Sequence, residues 1–136
     1  MTIHPTAIIS PHAKLADDII VGPGVLIGER VEIGAGCVLQ AHSVIESDTT
    51  IGSGNTIGYG AVIGAAPQDY AHSAEIRSSV FIGNNNRIRE YATIHRGTKD
   101  GTVTRIGNHC FLMVGVHVGH NCEISDGAII TNNVLL

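Results

Sequence analysis

Residues 21–39, VGPGVLIGERVEIGAGCVL, set an aliphatic side chain at every sixth position, Val21, Ile27, Ile33 and Leu39, with glycine directly after the first three. The period runs outward in both directions: Ile3, Ile9 and Leu15 precede it, and Ile45, Ile51, Ile57 and Ile63 follow without a miss. It resumes, shifted by one residue, at Ile76, Ile82, Ile88, Ile94, Ile106, Leu112, Val118, Ile124, Ile130 and Leu136, with Asp100 as its one break. A six-residue period walks around a 3.6-residue helix, so a helical reading fails. Three residues after the aliphatic position stand Gly24, Gly36, Gly54, Gly60, Asn85, Gly115, Asn121, Gly127 and Asn133, types that tolerate a left-handed backbone. Four residues after it the side chains are mostly small, among them Ala7, Val25, Cys37, Ser43, Ala61, Ala92, Cys110, Cys122 and Ala128, as two inward positions around a narrow interior require. Each hexad is thus a short strand plus a turn. Three hexads close one coil of about 18 residues in a parallel β-helix, an all-β solenoid of about seven coils. At the ~4.8 Å strand spacing of a sheet the prism is roughly 30–35 Å long.

Composition fits such a scaffold. The 136 residues (14.2 kDa) allow one domain, residues 1–136, and tryptophan is absent with aromatics at 4%, so no core is built on large rings. Charged residues make up 15% and mean hydropathy is +0.22, too apolar for disorder. The formal net charge of −4, with basic residues scattered singly, argues against nucleic acid or an anionic membrane as partner. No basic segment followed by an apolar stretch opens the chain, and no apolar run approaches the ~18 residues of a membrane span. The expectation is a soluble cytoplasmic protein.

The residue before each inward aliphatic points outward, so the coil repeat sorts three faces. One reads Lys14, Glu32, Thr50, Arg87, Arg105 and Glu123, a solvated face. The next reads Ile8, Leu26, Val44, Val62, Phe81, Lys99, His117 and Leu135, a mostly apolar stripe. The third is mixed: Thr2, Ile20, Val38, Thr56, Thr93, Phe111 and Ile129. A long exposed apolar stripe marks an interface, and a three-sided prism packs around a threefold axis. A homotrimer is expected, with His117 near its seam.

Residues 64–75 (GAAPQDYAHSAE) and 95–105 (HRGTKDGTVTR) interrupt the hexads and are expected as loops leaving prism corners. The two corners, after Ile63 and Val118, should lie three coils apart, roughly 14 Å, a gap that a twelve-residue loop can span. Cys37, Cys110 and Cys122 all take the inward position and match no metal spacing, so neither disulfides nor a metal site is expected. Of eight histidines, His12, His42 and His109 fall on turn positions. His117 and His120 differ, lying three apart on the stripe and at the corner after it. From position alone they are either a general base with a companion in an intersubunit cleft or two surface histidines.

The segments NRIREYATIHRGT (Asn86–Thr98), LMVGVHVGHNC (Leu112–Cys122) and TNN (Thr131–Asn133) resemble the UDP-N-acetylglucosamine acyltransferases of lipid A biosynthesis. The resemblance runs over the whole chain and includes Gln68-Asp69. It implies left-handed winding, against the usual right-handed crossover. It further implies transfer of an acyl chain, often 3-hydroxylated, from acyl carrier protein to the 3-hydroxyl of UDP-N-acetylglucosamine, with no cofactor. His120 would be the general base, with His117 in the substrate site and Gln68 and Asp69 on the sugar nucleotide. The chain departs from the family pattern at Asn121, where aspartate is common, and lacks a lysine shortly after Gln68-Asp69. Family members continue through more coils and a C-terminal helical domain, which residues 1–136 are expected to lack, leaving activity of the short chain in question. Three other readings stay open: a trimeric, non-catalytic hexapeptide module; a sugar-nucleotide acetyltransferase using acetyl-CoA; and a metal-dependent hydratase similar to the γ-class carbonic anhydrases. The zinc site of the last resembles three histidines, two of them five residues apart, and no pair here has that spacing.

Overall fold

The computed structural model describes residues 1–136 as 19 short strands joined by turns, with no helix. The strands stack into three parallel sheets of seven, six and six members, each strand pairing with those one coil before and after it. One column of inward residues runs Ile9, Ile27, Ile45, Ile63, Ile94, Val118, each in register with the next. From Ile27 on these side chains are buried to 3% exposure or less, in one continuous core of 23 residues. The nine glycines and asparagines at the third position after the aliphatic all have positive φ, as do His42 and His109. Left-handed turns of one residue bend the chain through each corner. Glycine directly after the aliphatic has a different cause. A Cβ on Gly58 would lie 2.6 Å from the Arg89 carbonyl carbon and 2.8 Å from the Glu90 nitrogen, so the stacked backbone itself occupies that space.

The inward position before the first sheet carries a polar ladder. Asn55 Nδ2–H donates to the Gly83 carbonyl at 2.8 Å and its Oδ1 accepts the Asn86 N–H at 2.9 Å. Asn86 Nδ2–H donates to Gly107 O at 2.9 Å and its Oδ1 accepts the Cys110 N–H at 2.7 Å. Cys37 and Cys110 are buried in the same column, Cys122 is half-buried, and all three thiols are free. Burial pushes the Cys37 thiol up.

Two features of the faces differ from the sequence reading. Phe81 stands on the sheet of Thr50 and Arg105, Arg87 on that of Thr56 and Phe111, and Thr93 on the stripe between Val62 and His117. Lys99 lies in a loop. Register partners fall 18 residues apart in regular coils, 31 across the first loop and 24 across the second. Each loop therefore replaces no strand: Ile76 and Asp100, which keep the six-residue phase, lie outside the ladder. Counting them as hexads displaces the faces between the loops; the excess of 13 and 6 residues equals one 18-residue coil plus the one-residue shift of the series, so the assignment is right again from Arg105 onward. The loops proper are residues 66–78 and 96–102, because the flanking strands extend to Val62–Ala65, Ser79–Ile82, Thr93–His95 and Val103–Ile106. Both leave the corner between the second and third sheets.

Candidate functional site

That corner gathers the histidines. Thr93 and His117 are register partners on adjacent coils, and their side chains meet, Oγ1 to Nδ1 at 2.7 Å. His95, at the end of the same strand as Thr93, sets its ring edge-to-face against His117 with centroids 4.7 Å apart. His120 sits in the turn just after strand His117–Val118, exposed, with Nδ1 2.9 Å from Asn121 Oδ1. An amide oxygen only accepts, so in this arrangement Nδ1 carries the hydrogen and Nε2 presents its lone pair outward. Asn121 holds the left-handed turn at φ 65° and orients the imidazole as well, so its conformational and side-chain roles coincide.

Burial holds His95 below the ordinary histidine value of 6.5, and charge on His117 or His120 would push it further the same way. It is neutral at pH 7. On acidification the unfolded chain takes up this proton first, so its contribution to stability is complete above about 6.5 and is lost as pH falls below that toward the folded-state value. His95→Gln should therefore lose less stability than the wild type between about pH 7 and pH 5 in chemical denaturation; equal losses would contradict a neutral His95.

Gln68 and Asp69 are exposed in the first loop. Asp69 Oδ1 caps its own turn by accepting the Ala71 N–H at 3.0 Å, and with Pro67 and Tyr70 the pair lines a hollow of about 450 Å³. The Asp69 carbonyl accepts the His72 N–H at 3.0 Å, but neither the Gln68 nor the Asp69 side chain hydrogen-bonds a histidine. The corners after Ile63 and Val118 are two coils apart, Ile94 lying between them, so the separation is about 10 Å and not the 14 Å expected. The miscounted hexads explain the difference. Arg96 ties the end of strand Val62–Ala65 and the first loop's His72 to the histidine strand: its N–H donates to Ala65 O at 2.9 Å and Nη1–H to Gly64 O at 3.2 Å, while Nη2 lies 3.5 Å from His72 Nε2.

The structure thus brings His117 and His120 to one corner and keeps Gln68 and Asp69 on a loop beside it. Sequence reasoning did not single out Thr93, His95 or Thr98. Correct faces would have found the first two, since Thr93 is the strand neighbour of His117. No set of three His, Cys, Asp or Glu side chains is arranged to hold a metal ion.

A parallel prism of hexads whose loops frame a histidine cluster is the scaffold of a hexapeptide-repeat transferase. The chain belongs to the bacterial transferase hexapeptide (six repeats) family, which matches residues 30–65 and 104–136. It is 53% identical over 136 residues to the acyl-[acyl-carrier-protein]–UDP-N-acetylglucosamine O-acyltransferase of Thiobacillus denitrificans, covering 99% of this chain and 52% of that protein. The enzyme of the same name from Saccharophagus degradans is 49% identical over 96% of this chain and 51% of its own length. Among solved structures, the UDP-N-acetylglucosamine acyltransferase of Bacteroides fragilis superposes with a TM-score of 0.95 at 43% identity, over 99% of this chain and 52% of that one. LpxA from Acinetobacter baumannii gives 0.95 at 44%, with the same coverage. The shared fold is the left-handed parallel β-helix. The chain spans about half the length of the curated relatives it matches.

Proposed function

We propose that the protein carrying this chain is an acyltransferase that moves an acyl group from acyl carrier protein to the 3-hydroxyl of UDP-N-acetylglucosamine. The observation that carries the reading is the exposed His120 imidazole, its Nδ1 engaged by Asn121 and its Nε2 free, beside the His95–His117 pair. A sugar hydroxyl is a weak nucleophile at neutral pH. His120 Nε2 takes its proton as the oxygen attacks the thioester carbonyl, a tetrahedral intermediate forms, and the C–S bond breaks as the imidazolium returns the proton to the departing thiolate. No covalent enzyme intermediate is required. His117, with Nδ1 held by Thr93, contacts the sugar nucleotide, and Gln68 and Asp69 close on it from the first loop. Neutral His95 beside them adds no second positive charge to oppose the imidazolium. The 53% identity to an enzyme of this name supports the reading.

The native gene product, given acyl-loaded carrier protein and UDP-N-acetylglucosamine, should release one free thiol per O-acylated sugar nucleotide formed. Product from acetyl-CoA alone would favour the acetyltransferase, and product from neither donor the non-catalytic module.

The same reading includes a homotrimer in the cytoplasm. No helix is long and apolar enough to cross a membrane. The second sheet presents Ile8, Leu26, Val44 and Val62 outward and continues into Thr93 and His117, which puts the site at the seam if that face is covered. Burying a side chain of this size stabilises by about 1.5–3 kcal/mol, so Val44→Lys should lower the assembly constant by at least tenfold in sedimentation. A monomeric wild type at micromolar concentration would contradict the trimer.

A further inference from the structure

We infer that Thr98, in the second loop, is a positioning residue that selects the proton-accepting tautomer of His120 by fixing which way the Asn121 amide faces. The inference rests on the proposed acyl transfer for its kinetic consequence, whereas the tautomer itself can be read without turnover. An asparagine amide has two ends of nearly the same shape, one accepting and one donating, and only its hydrogen-bond partners decide between them. Asn121 Oδ1 meets three groups: the Thr98 N–H at 3.2 Å, the Thr98 hydroxyl at 3.1 Å and His120 Nδ1 at 2.9 Å. A backbone N–H cannot accept. Reversing the amide would set its NH₂ against that N–H, donor against donor, so the backbone of residue 98 favours the oxygen, and the hydroxyl, a second donor on the same side, completes the selection.

Two further contacts hold the arrangement. The Asn121 N–H donates to Thr104 Oγ1 at 3.0 Å, which fixes the turn from which the side chain springs. The NH₂ end lies over Gly97, where a Cβ would approach Nδ2 to 3.1 Å, so the amide seats against a residue without a side chain. With the oxygen fixed toward His120, Nδ1 must be the donor. A neutral imidazole has one donor and one acceptor nitrogen, so Nε2 is left as the base. A carboxylate at position 121 would need no such lock, because both of its oxygens accept. The device matters because this chain carries an amide there.

The test uses the native gene product with ¹⁵N-labelled histidine side chains, His120 being assigned by its loss in His120→Gln. Long-range ¹H–¹⁵N correlation should show the neutral His120 protonated on Nδ1. Thr98→Val removes the hydroxyl donor and should bring in the Nε2–H form, with kcat about fivefold lower and the sugar-nucleotide KM unchanged. Thr98→Ser should restore both. In an Asn121→Asp background Thr98→Val should change kcat by less than about twofold. A wild-type His120 protonated on Nε2 would overturn the inference, as would a Thr98→Val protein with unaltered tautomer and kcat. If Thr98→Val does not fold, the wild-type spectrum decides by the same criterion. Absence of acyl transfer in the wild type would contradict the proposed function and leave the tautomer spectra to judge this inference alone.

Discussion

His120→Ala should lower kcat for acyl transfer by 10²–10⁴-fold, about 3–5 kcal/mol in barrier, because in the proposed mechanism it removes the group that carries the proton in both directions. His117→Ala should do less, and more of its loss should appear in the sugar-nucleotide KM. The asymmetry follows from where the two rings stand. His120 projects from a turn, exposed, with one nitrogen anchored and the other free. His117 lies half-buried in the strand ladder, its Nδ1 taken by Thr93 and its ring packed on His95. Both variants are best measured at saturating donor and acceptor, so that kcat and KM separate cleanly. Near-wild-type kcat in His120→Ala would remove the general base from the mechanism.

The second large effect is expected in the interior. Asn86 is 1% exposed and serves the backbone on both sides: it donates to Gly107 O, accepts from the Cys110 N–H and gives its own N–H to Asn55. Asn86→Ala strands the Cys110 N–H and the Gly107 carbonyl. Each unsatisfied group in a dry interior costs about 1–3 kcal/mol, so the loss should be about 2–5 kcal/mol, seen as a lower denaturation midpoint. Asn86→Leu separates the two explanations for such a loss. If the missing volume mattered most, leucine would recover much of the stability; if the ladder is the cause, leucine should be as poor as alanine. The ladder joins the coils that carry both loops, on a corner away from them. It holds register where the chain length per coil departs most from 18 residues.

The hexads made the architecture readable because inward and turn positions are set by contacts within one hexad: a buried aliphatic, a small companion, a residue able to turn left-handed. Ile27, Ile63 and Ile94 are buried, and Gly24, Asn85 and Asn121 have positive φ, as that local chemistry requires. Which face a strand joins is a different matter, since it depends on how many residues a loop removes from the ladder. Ile76 and Asp100 kept the phase of the repeat while lying outside it, and Phe81, Arg87 and Thr93 were displaced in consequence. The site suffered the same way. His117 and His120 stood out by spacing alone. Thr93 and His95 reach His117 only through inter-coil register, and Thr98 reaches Asn121 across the mouth of the second loop, a contact with no local signature. Gln68 and Asp69 were marked by resemblance, and their placement in a loop with its own hydrogen bonds leaves their approach to the histidines to the bound state.

In the proposed mechanism the glucosamine 3-hydroxyl is deprotonated at the corner formed by His95, His117 and His120. A crystal structure of the native gene product with UDP-N-acetylglucosamine tests it most directly. The 3-hydroxyl should lie about 2.6–3.2 Å from His120 Nε2, with His117 and the first loop's Gln68 and Asp69 against the same sugar nucleotide. A sugar nucleotide seated elsewhere, for instance in the hollow of about 680 Å³ lined by Arg87, His109 and Phe111, with its 3-hydroxyl out of reach of His120, would contradict it.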